Sequence, residues 1–421
     1  MDAQRYDLVI LGGGTAALEA ARTAARRGRR VALTLPEPDE TQPEQPTPFQ
    51  REMRIRQARL GLRRSNGVDE LPGVDVFRGP VSFCRYRTVR VGDRELLFRR
   101  AIIATCEQPG DVALHGAARL DCLRPETLDR LTTSPERIGV IGSDGEACYW
   151  AQVLARAGSR VYLIDCRDAL AELDPEAARA VHEQLARDGV SLHLDCTGVA
   201  LEPTGHLAGV LLNKGDRAEK LLLDHILAVG FRRPRLEGLA LRTAAVASTE
   251  RGVIVDDRLR TTARGIFAAG ACCGPAFADR PRAEASGRLA ARNAIGLLPH
   301  RLDAMVVPRY SPTEPMFVQL GLTRGEAVAQ ELDVRSFRVD LDEADEGVPA
   351  AHRRGFVAVN VLRRGGRLIG VTAVAEDADE LVAPLELLML RRSTLAPLHR
   401  MICCRPSRIA LLARLAEQWG Q

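Results

Sequence analysis

The strongest constraint on this chain is an internal repeat. Moved along itself until Asp7 lies on Arg137, the sequence superposes 7–35 on 137–165 without a gap, as DLVILGGGTAALEAARTAARRGRRVALTL over RIGVIGSDGEACYWAQVLARAGSRVYLID. Each copy opens with a short apolar run, passes a glycine-rich turn and continues with helical periodicity. It then meets a glycine suited to ending a helix (Gly28, Gly158) and closes in a second β-rich run. The pattern predicts strand, turn, helix, strand: a βαβ unit, made twice. Two such units predict an α/β fold with two Rossmann-like domains.

In a dinucleotide-binding βαβ unit the first glycine makes the tight turn and the second lets the backbone approach a pyrophosphate. A small third residue lets helix pack on strand, and the helix N-terminus faces the phosphates with free N–H groups. The first copy meets this pattern with Gly12, Gly14 and Ala17. Glycine turns after strands also serve purely as structure, but here the flanking periodicity fits the nucleotide reading. The second copy keeps Gly142 and Ala147 and has Asp144 where the middle glycine belongs. A carboxylate there meets a pyrophosphate at close range, where like charges cost several kcal/mol, to order of magnitude. Asp165 ends the second strand of that copy and is placed to accept from a ribose hydroxyl, whereas Leu35 holds the matching place in the first. Each copy has lost a different half of the dinucleotide grip. For the second, a retained but empty fold stands beside nucleotide binding.

At 421 residues the chain is long enough for several domains, and its net charge of +4 gives no electrostatic reason to expect nucleic acid or an anionic membrane as partner. The ten cysteines are far too few for a disulfide scaffold and fit a reducing cytoplasm. No apolar run is long enough to span a membrane, and the opening residues do not read as a secretion signal.

Further stretches extend the pattern. Ile102-Ile103-Ala104-Thr105-Cys106 ends an apolar run, Ala228-Val229-Gly230-Phe231-Arg232-Arg233-Pro234 closes another, and Gly265-Ile266-Phe267-Ala268-Ala269-Gly270 is a strand entering a glycine. Val306-Val307-Pro308-Arg309, Glu314-Pro315 and Gly321-Leu322-Thr323 follow. With the two fingerprints, these resemble the pyridine nucleotide-disulfide oxidoreductase family, which includes dihydrolipoamide dehydrogenase, mercuric reductase and glutathione reductase. The resemblance implies a FAD-binding domain at 1–128 and 252–300, an inserted NAD(P)-binding-like domain at 129–251, and a C-terminal α+β dimerisation domain at 301–421. It implies FAD on Gly12, Gly14, Ala17, Ala104, Thr105, Gly270 and Ala271. NAD(P)H would lie on Gly142, Ala147 and Asp165, weakened by Asp144. It also implies a homodimer.

The departures from that family concern its reaction centre. Members that reduce disulfides or mercury carry a cysteine pair soon after the second strand. Here Leu35 is followed by PEPDETQPEQPTP, which reads as an extended proline-rich loop, and the first cysteine of the chain is Cys84. The basic run from Phe49 to Leu60 reads as a short helix with a solvated arginine face. The family's C-terminal His-Pro…Glu stretch aligns with Ile402 to Ala410, so that Cys403 stands at the histidine place and Ala410 at the glutamate. The aspartate that would accept from a ribityl hydroxyl is replaced by Ala271. The vicinal pairs Cys272-Cys273 and Cys403-Cys404 suggest a soft-metal or redox thiol site, with Cys403 and Cys404 the candidates for chemistry. Adjacent cysteines lack chelating spacing, however, and buried thiols are commonly inert, so no metal site is assigned. Two functions follow: a FAD-dependent oxidoreductase that uses NAD(P)H and a small-molecule acceptor other than a disulfide, or a catalytically silent homodimer serving as a binding or scaffold protein.

Overall fold

The structure, a computed structural model, describes residues 4–37, 46–60, 71–142, 144–165, 174–215, 217–302, 306, 308–344 and 346–420. Most of the proline-rich stretch after Glu37 therefore lies outside the described residues. The chain divides into two compact units, one of Met1–Asp111, Glu126–Thr133 and Phe231–Met305, the other of Val112–Pro125, Ser134–Gly230 and Val306–Gln421.

The first unit begins β1 (Gln4–Leu11), α1 (Thr15–Ala25), β2 (Val31–Leu35), α2 (Pro48–Arg59) and β3 (Val74–Arg78). It continues through β4 (Val81–Arg85), β5 (Thr88–Val91), β6 (Arg94–Ile103) and β7 (Glu107–Pro109). After the second unit's insertion it resumes with β15 (Arg232–Pro234), β16 (Ser248–Thr249), β17 (Gly252–Val253), β18 (Ile266–Ala268) and α5 (Arg280–Ile295). Its main sheet has the order β3-β2-β1-β6-β5-β4, with β18 also on β6. β1, β2, β3, β6 and β18 pair in parallel, and β4 and β5 are the antiparallel flank. Strands buried on both faces explain the unbroken apolar runs of β1 and β2. The alanine-rich face of α1 lies on this sheet, with Ala17, Ala20, Ala21 and Ala24 fully buried. α5 crosses α1 at backbone contact, since a Cβ on Gly287 would lie 2.3 Å from the Ala16 carbonyl oxygen. The basic helix α2 buries Met53 and Gln57 and binds the loop at Asp129 through Gln50, whose amide donates to the Asp129 carbonyl, and through an Arg54–Asp129 ion pair. One face of α2 is therefore packed, and Arg51 and Arg59 are left in solvent.

The second unit holds β8 (Arg137–Ile141), α3 (Gly145–Arg156), β9 (Arg160–Ile164), α4 (Pro175–Arg187) and β10 (Ser191–His193). The antiparallel β11 (Gly198–Thr204), β12 (Leu207–Lys214) and β13 (Arg217–Leu223) lead to β14 (His225–Ala228). The order β10-β9-β8-β14, all parallel, repeats the β3-β2-β1-β6 order of the first unit, so the sequence repeat is a repeat of topology. The same unit contains the sheet β19-β20-β23-β22-β21: β19 (Arg309–Ser311), β20 (Met316–Gly321), β21 (Val334–Asp340), β22 (Gly355–Leu362) and β23 (Leu368–Ala375). Helices α6 (Arg324–Ala329), α7 (Ala378–Leu390) and α8 (Leu412–Gly420) complete it. A polar network ties α3 to the segment before β20. The buried Gln152 amide donates to Asp188 and to the Glu314 carbonyl and accepts from the Glu314 N–H, all within 2.7–2.8 Å, and Arg156 pairs with both acids. Each polar group of Gln152 is thus matched, as a buried amide requires.

The short β7–β15 ladder carries one group whose charge is unfavourable. Burial pushes the Glu107 carboxyl above its ordinary value, against an opposing pull from Arg232. A carboxyl raised on folding binds protons more tightly in the native state, so it costs nothing below the unfolded value and its full penalty at neutral pH. Glu107→Gln is expected to raise the melting temperature at pH 7 and to leave it nearly unchanged at pH 4, as measured by thermal unfolding at the two pH values.

Candidate functional site

The ends of β1, β6 and β18 converge where the sheet order turns, with β2 on one side of β1 and β6 on the other. Open α/β sheets bind ligands at this position. Gly12 leaves β1 at φ +124°, and a Cβ on it would lie 2.1 Å from the Ala104 carbonyl oxygen, so only glycine lets β1 and β6 end side by side here. The Ala104 N–H donates to the Leu11 carbonyl at 2.8 Å and the Thr105 hydroxyl to the Arg235 carbonyl at 2.6 Å. Gly14 is the N-cap of α1 in extended conformation, and no side chain caps the helix. The first N–H groups of α1 therefore have no side-chain acceptor, and the helix dipole adds to their pull on an anion. Gly270 (φ +74°) follows β18 and leaves no room for a Cβ against Ala16, which would be 2.7 Å away. Its N–H donates to the buried Ser286 hydroxyl at 3.0 Å. The candidates Gly12, Gly14, Ala17, Ala104, Thr105, Gly270 and Ala271 thus lie around one turn.

Two side chains close in on that turn. A Cβ on Gly13 would lie 2.6 Å from the Leu35 Cδ2, and one on Gly14 would lie 1.9 Å from the Cys106 Sγ. Leu35 is therefore folded onto the glycine turn, where a ribose-binding acid is missing, and the Cys106 thiol lies over the middle glycine. The backbone and the uncapped helix fit the diphosphate of FAD. The carboxylates for its ribose and ribityl hydroxyls are absent, with Leu35 and the buried Ala271 in their places.

The second turn differs at its centre. Gly142 is tight, a Cβ there falling 3.0 Å from both the Ala147 Cβ and the Val229 carbonyl oxygen. Asp144 is the N-cap of α3, and its carboxylate accepts the Ala147 N–H at 2.9 Å. The chain thus supplies its own anion where a pyrophosphate would bind. Gly145, beside it, carries β19: a Cβ would lie 2.8 Å from that of Ser311, whose hydroxyl donates to the Gly145 carbonyl at 2.8 Å. Asp165 is buried just past the end of β9, next to β8. The residues at this turn do not fit a pyrophosphate as they stand.

Among the described residues the cysteines form no assembled reaction centre. Cys272 is fully buried and donates to the Ile103 and Ala269 carbonyls, both at 3.3 Å. A hydrogen bond with Cys272, together with burial, holds the Cys273 thiol far above its ordinary value. Cys403 is half-buried and Cys404 exposed, in the irregular stretch before α8. Among the described residues no group of three or more His, Cys, Asp or Glu side chains is arranged to hold a metal ion, and no helix is long and apolar enough to cross a membrane. In the sequence Cys106 is only the end of the 102–106 run, and the contact of its thiol with Gly14 is not foreseen there. In the structure Cys106 takes φ +63°, an uncommon conformation for a residue with a side chain.

Comparison with known proteins agrees with this geometry. A family model described as pyridine nucleotide-disulphide oxidoreductase matches residues 6–290, and the model of that family's dimerisation domain matches residues 307–410. The chain belongs to the pyridine nucleotide-disulphide oxidoreductase family. Among curated relatives, a mercuric reductase of Staphylococcus aureus is 28% identical over 76% of this chain and 59% of its own length. A dihydrolipoyl dehydrogenase of Thermus scotoductus is 29% identical over 85% of this chain and 76% of its own. The chain spans less than two thirds of the length of the mercuric reductases it matches first. Among solved structures, the Cu(II) complex of RclA, an HOCl-induced flavoprotein disulfide reductase from Escherichia coli, shares the fold at a TM-score of 0.82. It has 21% identity and covers 99% of this chain and 100% of its own.

Proposed function

We propose that this chain is a FAD-dependent oxidoreductase that draws on NAD(P)H and delivers electrons to a small-molecule acceptor other than a disulfide, as a cytoplasmic homodimer. The observation that carries the reading is the N-terminus of α1, which meets the glycine turn with no side-chain cap. FAD, when bound, supplies the electron-carrying ring. Gly14 and the first N–H groups of α1 would hold its diphosphate, and Gly12 lets β1 and β6 end side by side at that turn. The family match supports the cofactor class. The acceptor class is supported by the stretch after Leu35, where the disulfide-reducing members carry their thiol pair and this sequence has no cysteine before Cys84. NAD(P)H is the weaker ligand, since Asp144 already occupies the helix terminus that would receive it.

A second reading, a catalytically silent homodimer, is favoured by one specific set of contacts: Leu35 on Gly13, Asp144 on α3 and Ala271 beside Gly270. A visible spectrum separates the two. Protein supplied with FAD and freed of excess is expected to be yellow and to bleach with NADH or NADPH under anaerobic conditions. A folded protein that stays colourless rejects the flavin reading in favour of the silent one. A yellow protein that neither nucleotide bleaches rejects the NAD(P)H half.

A further inference from the structure

The arginines around the antiparallel flank of the first sheet fall into two groups. Arg85 and Arg90 share one acid, Glu95, as ion pairs. Arg87, Arg99, Arg100 and Arg264 make no ion pair with a described residue, yet the fold brings them together. Arg87 lies in the turn between β4 and β5, and its carbonyl accepts the Phe98 N–H at 3.0 Å, next to Arg99 on β6. The Gly265 carbonyl, one residue past Arg264, accepts the Ala101 N–H at 3.0 Å, next to Arg100. A Cβ on Gly265 would lie 3.5 Å from the Cδ and the Nη1 of Arg100. The cluster therefore stands at the entry to β18, whereas Gly270 and the first glycine turn stand at its exit.

The grouping is uncompensated within the chain. Burial, and then the charges of Arg99, Arg87 and Arg264, push the half-buried Arg100 guanidinium below its ordinary value. Arg87 takes φ +55°, uncommon for a residue with a side chain, and its Nε is buried with no hydrogen-bond partner. Its guanidinium sits over the ring of the exposed Tyr86, 5.2 Å from the ring centre. A bound oxyanion answers both the unneutralised charges and the unmatched donor. A single carboxylate offers two oxygens, too few for four guanidinium forks, whereas linked phosphates present several charged oxygens that each fork can bridge. We propose that Arg87, Arg99, Arg100 and Arg264 form a binding site for an oligophosphate, free or carried by a nucleotide, apart from the two glycine turns. The site is independent of the flavin reading and stands whether or not FAD binds.

The experiment titrates inorganic triphosphate, orthophosphate and ATP by calorimetry, at about 0.15 M ionic strength so that distant charges are screened. The proteins are wild type, Arg100→Gln, Arg264→Gln and, as a charge control, Arg59→Gln on the solvent side of α2. Wild type is expected to bind triphosphate saturably and more tightly than orthophosphate. Arg100→Gln and Arg264→Gln should each weaken triphosphate about tenfold, the loss of one charged hydrogen-bond donor, and Arg59→Gln should match wild type. Arg264 is exposed, so its variant keeps the test open should Arg100→Gln fail to fold. An ATP affinity above that of triphosphate, and lost in Arg264→Gln, assigns the site to nucleotides; an equal or lower one assigns it to the inorganic chain. Triphosphate that does not bind folded wild type overturns the proposal. So does binding that both cluster variants retain, or binding that Arg59→Gln weakens as much as they do.

Discussion

Gly12→Ala is expected to destabilise the first unit by about 3 kcal/mol or more, as strained φ and overpacking costs add. At φ +124° an alanine is strained whatever the space, and its Cβ would fall 2.1 Å from the Ala104 carbonyl oxygen and 2.9 Å from the Thr105 Cα. These are backbone atoms just past the end of β6, held by the pairing of β6 with β1 up to Ile103 and by the hydrogen bond of the Ala104 N–H to the Leu11 carbonyl, so no rotamer change relieves the clash. Gly28→Ala isolates the conformational part. Gly28 ends α1 at φ +67° with nothing near its missing Cβ, so alanine there costs only the left-handed penalty, roughly 1–2 kcal/mol. Denaturant melts of the two variants should differ clearly, and equal losses would show that the β1–β6 approach is not what Gly12 serves.

Asp144→Gly is expected to tighten pyridine nucleotide binding by about tenfold or more, equivalent to about 1.4 kcal/mol or more. The substitution removes the carboxylate from the diphosphate position and frees the Ala147 N–H, which the Asp144 side chain now takes. Folding should barely respond, because glycine is a tolerated N-cap and costs only a few tenths of a kcal/mol relative to aspartate. Calorimetry with NADH and NADPH reads the effect. Unchanged affinity would mean that the contact of Gly145 with Ser311, rather than the charge, closes this turn.

The elements at the centre of both units were legible because local rules and the global fold agree there. Alternating strand and helix periodicity around glycine turns placed β1, α1, β2 and β8, α3, β9, and the repeat itself announced that their topology recurs. The capping role of Asp144 was also within reach, since an aspartate just before a helical run is a common N-cap. The way side chains fold back onto the first turn was not legible. Leu35 and Cys106 reach Gly13 and Gly14 from the ends of other strands, and which way a side chain leaves a strand end depends on packing that no local pattern encodes. The Gln152 network is of the same kind. A glutamine on a helix reads as surface, and only its partners at Asp188 and Glu314 show that it is buried and fully bonded.

The proposed function turns on an asymmetry: a first turn whose helix α1 carries no side-chain cap and receives FAD, and a second turn closed by the Asp144 carboxylate on α3. Parallel titrations of the flavin-free protein with FAD and with NAD(P)H test it most directly. The account predicts saturable binding of one FAD per chain and much weaker binding of either pyridine nucleotide. Tight NADH or NADPH binding with no FAD uptake would contradict it.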